Sequence, residues 1–363
     1  MPWKILKKNE VDNWNEELKK TNAPFYQYPY FTSAEYNSLF SNVNYFKYEV
    51  DDKDLAFCAI IEIGIYPLKI GVVDGGPVFL DNNIDIPALI EDLKTLAVHA
   101  HYMHLQIRPA NNSPIETILK NDANFQNKIF FPYHLKEEYD LNIYNMPEEK
   151  LLASFKLQCR RKIVLAARVA FEFRKVENEA ELKNVQKLFK QVSKTKGYKY
   201  LPFRIFLNIF KNAKKYNLCD IYAAYLNNEI VNAVIIVKDG VSFYHLTSAL
   251  VVKGFKYNES PSAKLHFFIM QHCFYTENKK YYNISFGGSD NLIRFKELFN
   301  PIEIEKPPYY TYVINKKTVS FFQKFSPQQA TFFRSVLKKL RKHVASLKVA
   351  LLISVSSASQ FFL

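Results

Sequence analysis

Cysteine is scarce in this sequence, and its only four examples, Cys58, Cys159, Cys219 and Cys273, lie far apart. They match no metal-binding spacing and are too few for a disulfide framework, so we expect reduced thiols in the cytosol. The N-terminal segment has no apolar core like that of a signal peptide. No run of about 20 uncharged apolar residues is present, which argues against a conventional transmembrane helix. We therefore expect a cytoplasmic protein, with peripheral contact at the inner face of the membrane as a further expectation.

The motifs of several common enzyme classes are also missing. The sequence has no glycine-rich Rossmann fingerprint, no Walker phosphate loop and no G-x-S-x-G nucleophile elbow. The histidines of HAHYMH (residues 99–104) lie across a predicted helix end and strand start, so we do not expect them to converge on a metal. His245, His266 and His272 fall within strand and helix patterns, where packing is the default role. We therefore predict no metal site.

Charge and length limit the classes of function that remain. The 363 residues are enough for two domains, and 48% hydrophobic with 23% charged residues predicts a globular chain. The formal net charge is +14, which favours polyanions such as RNA, nucleotide phosphates or an anionic membrane surface. A basic surface that serves only solubility is an equal alternative, because charge alone does not identify a partner.

One order of elements occurs twice along the chain. In the first half, AFCAIIEIGI, PLKIGVVDGGPVF and HLQIRP predict strands, with the helix PALIEDLKTLAVHA before the last of them. In the second half, DIYAAYL, VNAVIIV, VSFYHLTSAL and YYNISF predict strands, and SAKLHFFIMQHCFY predicts a helix introduced by Ser260 and Pro261. Two further helices are predicted near 179–194 and 202–213. This order favours an α+β fold of two tandem domains with mixed, mainly antiparallel sheets and flanking helices.

A basic amphipathic helix is predicted between the two halves, over residues 147–168. Its apolar positions recur at helical spacing, at Leu151, Leu152, Phe155, Cys159 and Ile163. Its basic positions are Lys156, Arg160, Arg161, Lys162 and Arg168. We expect this helix to lie at the junction of a first domain, residues 1–146, and a second domain, residues 147–325.

The segment FGGSDNLIRFKELFNP, residues 286–301, places a lysine beside an apolar stripe. Two glycines precede a short predicted helix on which Leu292, Phe295 and Phe299 recur at helical spacing. Lys296 lies about 40° around the helix from Leu292, at the edge of this stripe. Two interpretations of Lys296 are open. Its ammonium is partly desolvated and fixed, as an oxyanion stabiliser should be. Alternatively, its aliphatic chain covers the apolar stripe and the ammonium stays in water.

Four stretches together resemble the FemABX-type acyltransferases. They are GGPVFLDNN with the following LQIRP, then YDLNIYNMPEEKLLASFKLQCRRKIVLAAR, then SPSAKLHFFIMQHC, and finally FGGSDNLIRFKELFNP. The resemblance covers nearly all of residues 20–315 and rests on the order and spacing of the stretches. It implies two tandem acetyltransferase-like (GNAT) domains. It also implies an N-acyltransferase that moves an aminoacyl group from aminoacyl-tRNA to an amine of a cell-wall or envelope precursor, lipid-linked or nucleotide-linked.

The same resemblance implies roles for particular residues. Phe295 and Lys296 correspond to a Phe-Lys pair beside the reacting ester. The implied substrate-binding residues are Arg160, Arg161, Lys196, Ser262, Gly287 and Gly288. No permanently bound cofactor is implied. The basic residues of 156–168 and 194–199 are candidate contacts for tRNA phosphates.

The sequence departs from the wider superfamily at one important place. The segment VVKGFKYNESPSA, before the helix at Ser262, lacks the glycine-rich loop that would hold the pyrophosphate of coenzyme A. We therefore favour the tRNA donor, and keep acetyl-CoA-dependent acetylation of an amino sugar or other small amine as the alternative. A catalytically silent binding module is a third possibility, and no residue in the sequence identifies a general base.

The C-terminal segment, residues 326–363, predicts a basic amphipathic helix and tail. Its apolar stripe consists of Phe333, Val336, Leu337, Leu340, Val344, Leu347 and Leu351. Such a helix can lie in a membrane interface with its lysines on anionic head groups. The alternative is that the stripe packs on the second domain.

Overall fold

A computed structural model describes residues 2–36, 41–64, 69–127, 139–196, 203–251, 255–256, 259–285 and 290–315. Its strands form two sheets. The first sheet contains, in spatial order, β1 (Trp3–Ile5), β2 (Ser41–Val50), β3 (Lys53–Ile63), β4 (Ile70–Asp74), β6 (His104–Arg108), β15 (Tyr310–Val313) and β7 (Phe125–Gln126), with β5 (Val78–Phe79) paired to β3. Only the β4–β6 pair is parallel among the strands described in this sheet.

The second sheet has seven described strands. In spatial order they are β14 (Ile302–Glu305), β8 (Tyr139–Tyr144), β13 (Tyr281–Asn283), β12 (Ser242–Leu250), β11 (Glu229–Lys238), β10 (Cys219–Leu226) and β9 (Glu172–Lys175). β12 and β13 are parallel, and the other described pairs are antiparallel. Asn227 and Asn228 form the two-residue turn between β10 and β11, and both have positive φ. Asparagine adopts positive φ more readily than most residues, which suits it to such a tight hairpin.

Eleven described α-helices flank these sheets. They are α1 (Lys8–Val11), α2 (Trp14–Lys19), α3 (Pro29–Tyr36), α4 (Ile86–His99), α5 (Ile115–Asn121), α6 (Glu148–Ser154), α7 (Leu157–Ala166), α8 (Glu179–Lys196), α9 (Phe203–Lys214), α10 (Ser262–Gln271) and α11 (Asp290–Glu297). A single π-helical turn, His272–Thr276, extends α10. The α+β fold of two mixed sheets with flanking helices is thus confirmed.

The buried apolar side chains divide into three layers. Helices α4 and α5 pack on one face of the first sheet. The opposite face of that sheet, one face of the second sheet, and residues of α2, α3, α8 and α9 form one continuous core. Helices α6, α7 and α10 and the residues around the end of α11 cover the remaining face of the second sheet. Because both faces of each sheet are covered, central strands such as β3 and β11 are buried almost continuously rather than at alternate positions.

The predicted helix 147–168 differs from the structure in place and in continuity. It does not lie at the junction; α6 and α7 pack on the outer face of the second sheet, against α10, so that expectation was wrong. Its apolar spacing predicted a buried side but not the partner of that side. The helix also breaks at Phe155, whose backbone is extended and whose ring lies 5.3 Å from that of Phe299. Residues of α3 and α9 occupy the junction instead.

Two strands lie in the sheet of the opposite half of the chain. β8, which precedes residue 146, belongs to the second sheet, and β15, which follows all the described strands of the second sheet, belongs to the first. The boundary between residues 146 and 147 therefore does not separate the two sheets. As a division into folding units it remains a prediction. The C-terminal segment 326–363 lies outside the described residues.

Candidate active site

The two parallel strands of the second sheet separate at one point. β12 and β13 pair at Ser242, Phe243 and Tyr244, and within the described residues the pairing ends opposite Asn283. The next residue, Ile284, donates its N–H to Leu141 on the other side of β13. Beyond Tyr244, β12 stays paired with β11 on its other side. A wedge therefore opens between β12 and β13 at residues 245 and 284.

A β-bulge lies beside this wedge. Ile236 pairs with His245 and Ile235 pairs with Thr247, so Leu246 is an extra residue on β12. A bulge bends its strand and re-aims neighbouring side chains, and bulges are frequent next to active sites. It therefore turns β12 at the position where β13 departs.

Buried rings form the floor of the wedge. The rings of His245 on β12 and His266 on α10 meet edge to face, with centroids 5.0 Å apart. His266 Nδ1 is hydrogen-bonded to the hydroxyl of Tyr282 at 2.6 Å. Phe295 and Phe299 close the other side of His266, at 5.8 and 5.7 Å between centroids. The site is consequently low in dielectric and rigidly packed.

Lys296 is buried against this floor. Its side chain is on the last turn of α11 and only 3% of the residue is exposed, whereas Leu292, at the start of the predicted stripe, is 39% exposed. The apolar face of the helix is therefore rotated from its predicted position. The ammonium is not held in water by an extended stem, since almost the whole residue is enclosed.

The two histidines show the electrostatic effect of this lysine. The pKa of His245 is lowered to about 4, by burial first and by the positive charge of Lys296 second, while the hydrogen bond with Ile284 O acts in the opposite direction. The pKa of His266 lies well below its usual value because of burial, followed by the charges of His245 and Lys296. Both imidazoles are thus neutral at physiological pH, and Lys296 is the cation of this cluster.

Phe295, the other predicted catalytic residue, has a packing role at this site. It is partly buried, and its ring contacts Phe299 at 5.4 Å between centroids. The end of α11 is attached to the neighbouring helix pair, because Lys156 donates its backbone N–H to Leu298 O at 3.0 Å. The break between α6 and α7 thereby fixes the turn that carries the Phe-Lys pair.

The predicted substrate-binding residues do not all converge on Lys296. Ser262 begins α10, and its hydroxyl accepts a hydrogen bond from Asn232 Nδ2 at 3.0 Å. Arg160 is half-buried and Arg161 exposed on α7. Lys196 is the last residue of α8, and its side chain is outside the description. Gly287 and Gly288 also lie outside the described residues.

A second cluster of charged residues lies at the far end of β11. Lys238 is fully buried, and its Nζ lies 2.6 Å from both Asp220 Oδ2 and Glu277 Oε1. Asp220, His272 and Glu277 have ligand atoms within 4.8 Å of one another, which is a spacing that could hold a metal ion. Since the ammonium of Lys238 already lies between the carboxylates, it satisfies them as a cation would. We assign this cluster to the stability of the fold.

An open groove of about 510 Å³ lies elsewhere, on the first half of the chain. It is lined by Trp14 and by charged side chains such as Lys47 and Asp54. Lys47 is paired with Glu49 and Asp54, and these bonds raise its pKa to about 12. The lining groups are therefore paired surface charges rather than groups poised for proton transfer.

The architecture matches that of several solved structures. No protein-family model and no curated protein sequence matches the chain. FemX superposes with a TM-score of 0.73 at 13% identity, over 88% of this chain and 99% of FemX. A conserved protein of unknown function from Bacteroides thetaiotaomicron gives 0.56 at 12% identity, over 86% and 98% of the two chains. The C-terminal domain of a candidate lysylphosphatidylglycerol synthetase from Agrobacterium fabrum gives 0.53 at 13%, over 87% and 95%.

These similarities define the class of fold. The chain has the tandem GNAT-like architecture, and in particular it shares the fold of FemX over nearly the whole of both chains. The fold that the sequence resemblance implied is therefore confirmed. None of the helices in the described part of the chain is long and apolar enough to cross a bilayer.

His245, His266 and Tyr282 were not predicted as site residues. The sequence predicted that the histidines pack within a strand and a helix, and they do. The signal that could have distinguished them is their position: His245 lies in the middle of the strand VSFYHLTSAL, and His266 lies four residues after Ser262. Neither position indicates proximity to Lys296 until the separation of β12 and β13 is known.

Proposed function

We propose that this protein is an N-acyltransferase that transfers an aminoacyl group from aminoacyl-tRNA to an amine of a cell-envelope precursor. The observation that carries the proposal is the ammonium of Lys296, enclosed at the wedge between β12 and β13. A buried cation costs free energy of desolvation, so a fold retains it where charge develops or where a partner compensates it. The fold shared with FemX and the resemblance of the Phe-Lys segment support the same function.

The reaction places two demands on such a site. The acceptor amine must be held against the ester carbonyl, because proximity and orientation supply much of the rate. The negative charge that develops on the carbonyl oxygen must also be stabilised, and a fixed ammonium in a low-dielectric site does this without reorganising. Lys296 fills the second role, and Phe295 shapes and dries the pocket around it.

The donor is the finer part of the proposal. Arg161 is exposed on α7 and Arg168 is exposed just after its end, and these residues suit contacts with tRNA phosphates. Acetyl-CoA is the second candidate donor. The observation in its favour is the start of α10, where the hydroxyls of Ser260 and Ser262 lie at a helix N-terminus suited to phosphate.

The test offers labelled aminoacyl-tRNA and labelled acetyl-CoA side by side, each with a crude lipid-linked precursor as acceptor. We expect label from the tRNA in the precursor. Lys296→Met should reduce turnover by about 100- to 1000-fold, the usual loss for one oxyanion donor. Arg294→Met, an exposed cation on the same helix, is the matched control and should keep full activity.

Several outcomes would contradict the proposal. Near-full activity of a folded Lys296→Met variant removes the catalytic role of the lysine. Rapid turnover with acetyl-CoA alone selects the second donor. Absence of transfer from either donor, with a ligand affinity that Lys296→Met leaves unchanged, indicates a binding module.

A further inference from the structure

We infer that His245 is the proton acceptor for the attacking amine, acting through its Nε2 atom. This inference rests on the proposed acyl transfer and assigns a residue that the sequence did not identify. It is argued from the hydrogen bond of Nδ1, the enclosure of Nε2 and the position of Lys296.

The hydrogen bond of His245 fixes its tautomer. Nδ1 lies 3.2 Å from the backbone oxygen of Ile284, the first residue after β13. A carbonyl oxygen can only accept, so Nδ1 carries the hydrogen in the neutral ring. Nε2 is then the nitrogen with the lone pair, as for a ring oriented to act as a base.

Nε2 is enclosed, and no residue that the structure describes donates a hydrogen bond to it. His245 as a whole is 7% exposed. An enclosed acceptor without a donor is unfavourable, and native folds keep such groups mainly where a ligand or a water completes them. The surrounding titratable groups are Lys296 on α11, His266 on α10 and Tyr282 on β13, and none of them is hydrogen-bonded to Nε2.

The proton transfer balances with these groups alone. The lone pair of the amine nitrogen attacks the carbonyl carbon of the aminoacyl ester, and the C=O π electrons become an oxyanion beside the Lys296 ammonium. The N–H proton moves to Nε2 of His245, which becomes an imidazolium with Nδ1–H still bonded to Ile284 O. The oxyanion then re-forms the C=O bond, the C–O bond to the ribose breaks, and the leaving oxygen takes the proton from Nε2. The products are an amide and a free hydroxyl, and His245 is neutral again.

Lys296 links the strength of this base to the reaction. In the free protein, burial first and the charge of Lys296 second disfavour the imidazolium. An oxyanion beside Lys296 offsets that positive charge, so His245 becomes a stronger base at the stage when the proton must leave the amine. Lys296 and His245 are both enclosed and interact electrostatically, so they share one low-dielectric environment.

The first experiment compares two matched variants in single-turnover acyl transfer. His245→Asn keeps a donor near Ile284 O and removes the acceptor at Nε2, whereas His245→Gln keeps a weakly basic oxygen near Nε2. We expect about a 100- to 10,000-fold loss in His245→Asn, the usual contribution of a general base, with the thermal unfolding midpoint near that of the wild type. We expect His245→Gln to be as slow, since an amide oxygen does not take the proton. Wild-type rates in either folded variant would overturn the inference and leave the proposed acyl transfer intact.

The second experiment needs no activity and applies even if both variants fail to fold. Nitrogen-15 NMR of the wild-type imidazoles should show His245 as a neutral ring with Nδ1 protonated down to about pH 5. In Lys296→Met, the His245 titration should move to higher pH. A protonated Nε2 in the neutral ring, or a titration that Lys296→Met leaves unchanged, would overturn the inference whether or not the protein transfers acyl groups.

Discussion

Replacing Lys238 by methionine should destabilise the fold strongly and make its stability more dependent on pH between pH 7 and pH 5. Lys238 is fully buried, and its Nζ lies 2.6 Å from Asp220 and from Glu277 and 3.1 Å from Asn217 Oδ1. Methionine has a similar length but no charge. The variant therefore keeps the packing and leaves two carboxylates without their principal cation.

The structure limits the size of the effect. Removal of one partner from a buried ion pair costs about 3–5 kcal/mol, because the remaining charge stays desolvated. Lys175 remains 2.8 Å from Asp220 and 3.7 Å from Glu277, so part of the charge is still compensated. We therefore expect the lower end of that range, about 3 kcal/mol at pH 7.

The pH dependence has a defined sign. In the wild type, burial raises the pKa of Glu277, but the hydrogen bond with His272 and the charge of Lys238 outweigh this and lower it to about 2. The stability from this carboxylate is present above its usual pKa of 4.5 and is lost as the pH falls towards 2. In Lys238→Met the adjacent carboxylates repel each other, which raises the pKa of the pair above that of the unfolded chain. Stability of the variant should then increase as the pH falls from 7 to 5.

Urea unfolding at pH 5, 6 and 7 measures how the free energy of unfolding depends on pH in the wild type and in Lys238→Met. The exposed Lys150→Met is the matched control. In the variant, Asp220, His272 and Glu277 lose the competing ammonium, so added Zn²⁺ should raise its unfolding midpoint and not that of the wild type. A loss below about 1 kcal/mol, or a variant whose stability relative to the wild type does not increase from pH 7 to pH 5, would refute the assigned role of Lys238.

Four further predictions follow from particular side chains and segments. Phe299→Ala should cost about 3–5 kcal/mol in urea unfolding, because the ring is fully buried between Phe155, Phe295 and His266; a loss under 1 kcal/mol would contradict that packing. Burial raises the pKa of Asp239 to about 6, so the contribution of this carboxyl to stability is present at low pH and declines as the pH rises through 6. Asp239→Asn should therefore be more stable than the wild type by roughly 2–3 kcal/mol at pH 8 and by little at pH 4. If tRNA binds α7, the double variant Arg160→Gln, Arg161→Gln should reduce the slope of log affinity against log salt by roughly 0.7–0.9 for each lost contact, and an unchanged slope would exclude these contacts. If the C-terminal segment is an anchor, the full chain should sediment with anionic vesicles more than a version ending at Ser326, and equal sedimentation would exclude it.

The sequence contained enough information for most of the elements but not for their partners. Helix α4 was predicted from the segment PALIEDLKTLAVHA, and in the structure Asp85 also caps its first turn. The strands β10, β11 and β12 were predictable from apolar runs separated by turns. The side of α6 and α7 that is buried was likewise visible in the sequence. The partner of that buried side could not be predicted, because the spacing of apolar residues within a helix carries no information on distant segments.

The candidate site shows the same limit. Lys296 was distinguished by its segment, although the rotation of α11 exposes Leu292 and buries the lysine more fully than the stripe predicted. His245 becomes significant only through the bulge at Leu246 and the departure of β13, and both are properties of pairing between strands. Arg160 and Ser262 lie on separate helices, and their relation to a substrate remains a prediction.

The place of β15 in the first sheet has a consequence for protein synthesis. This strand lies between β6 and β7, yet it is made about 187 residues after β7 is complete, counting from Gln126 to Val313. At roughly 5–20 residues per second, a ribosome needs about 10–40 s for that interval. During this time β6, with its buried Leu105 and Ile107, has an open edge on the side away from β4, and an open apolar edge invites pairing with other chains. The nascent chain should therefore depend on chaperones until its last strand emerges, and fragments that end before residue 310 should aggregate rather than fold.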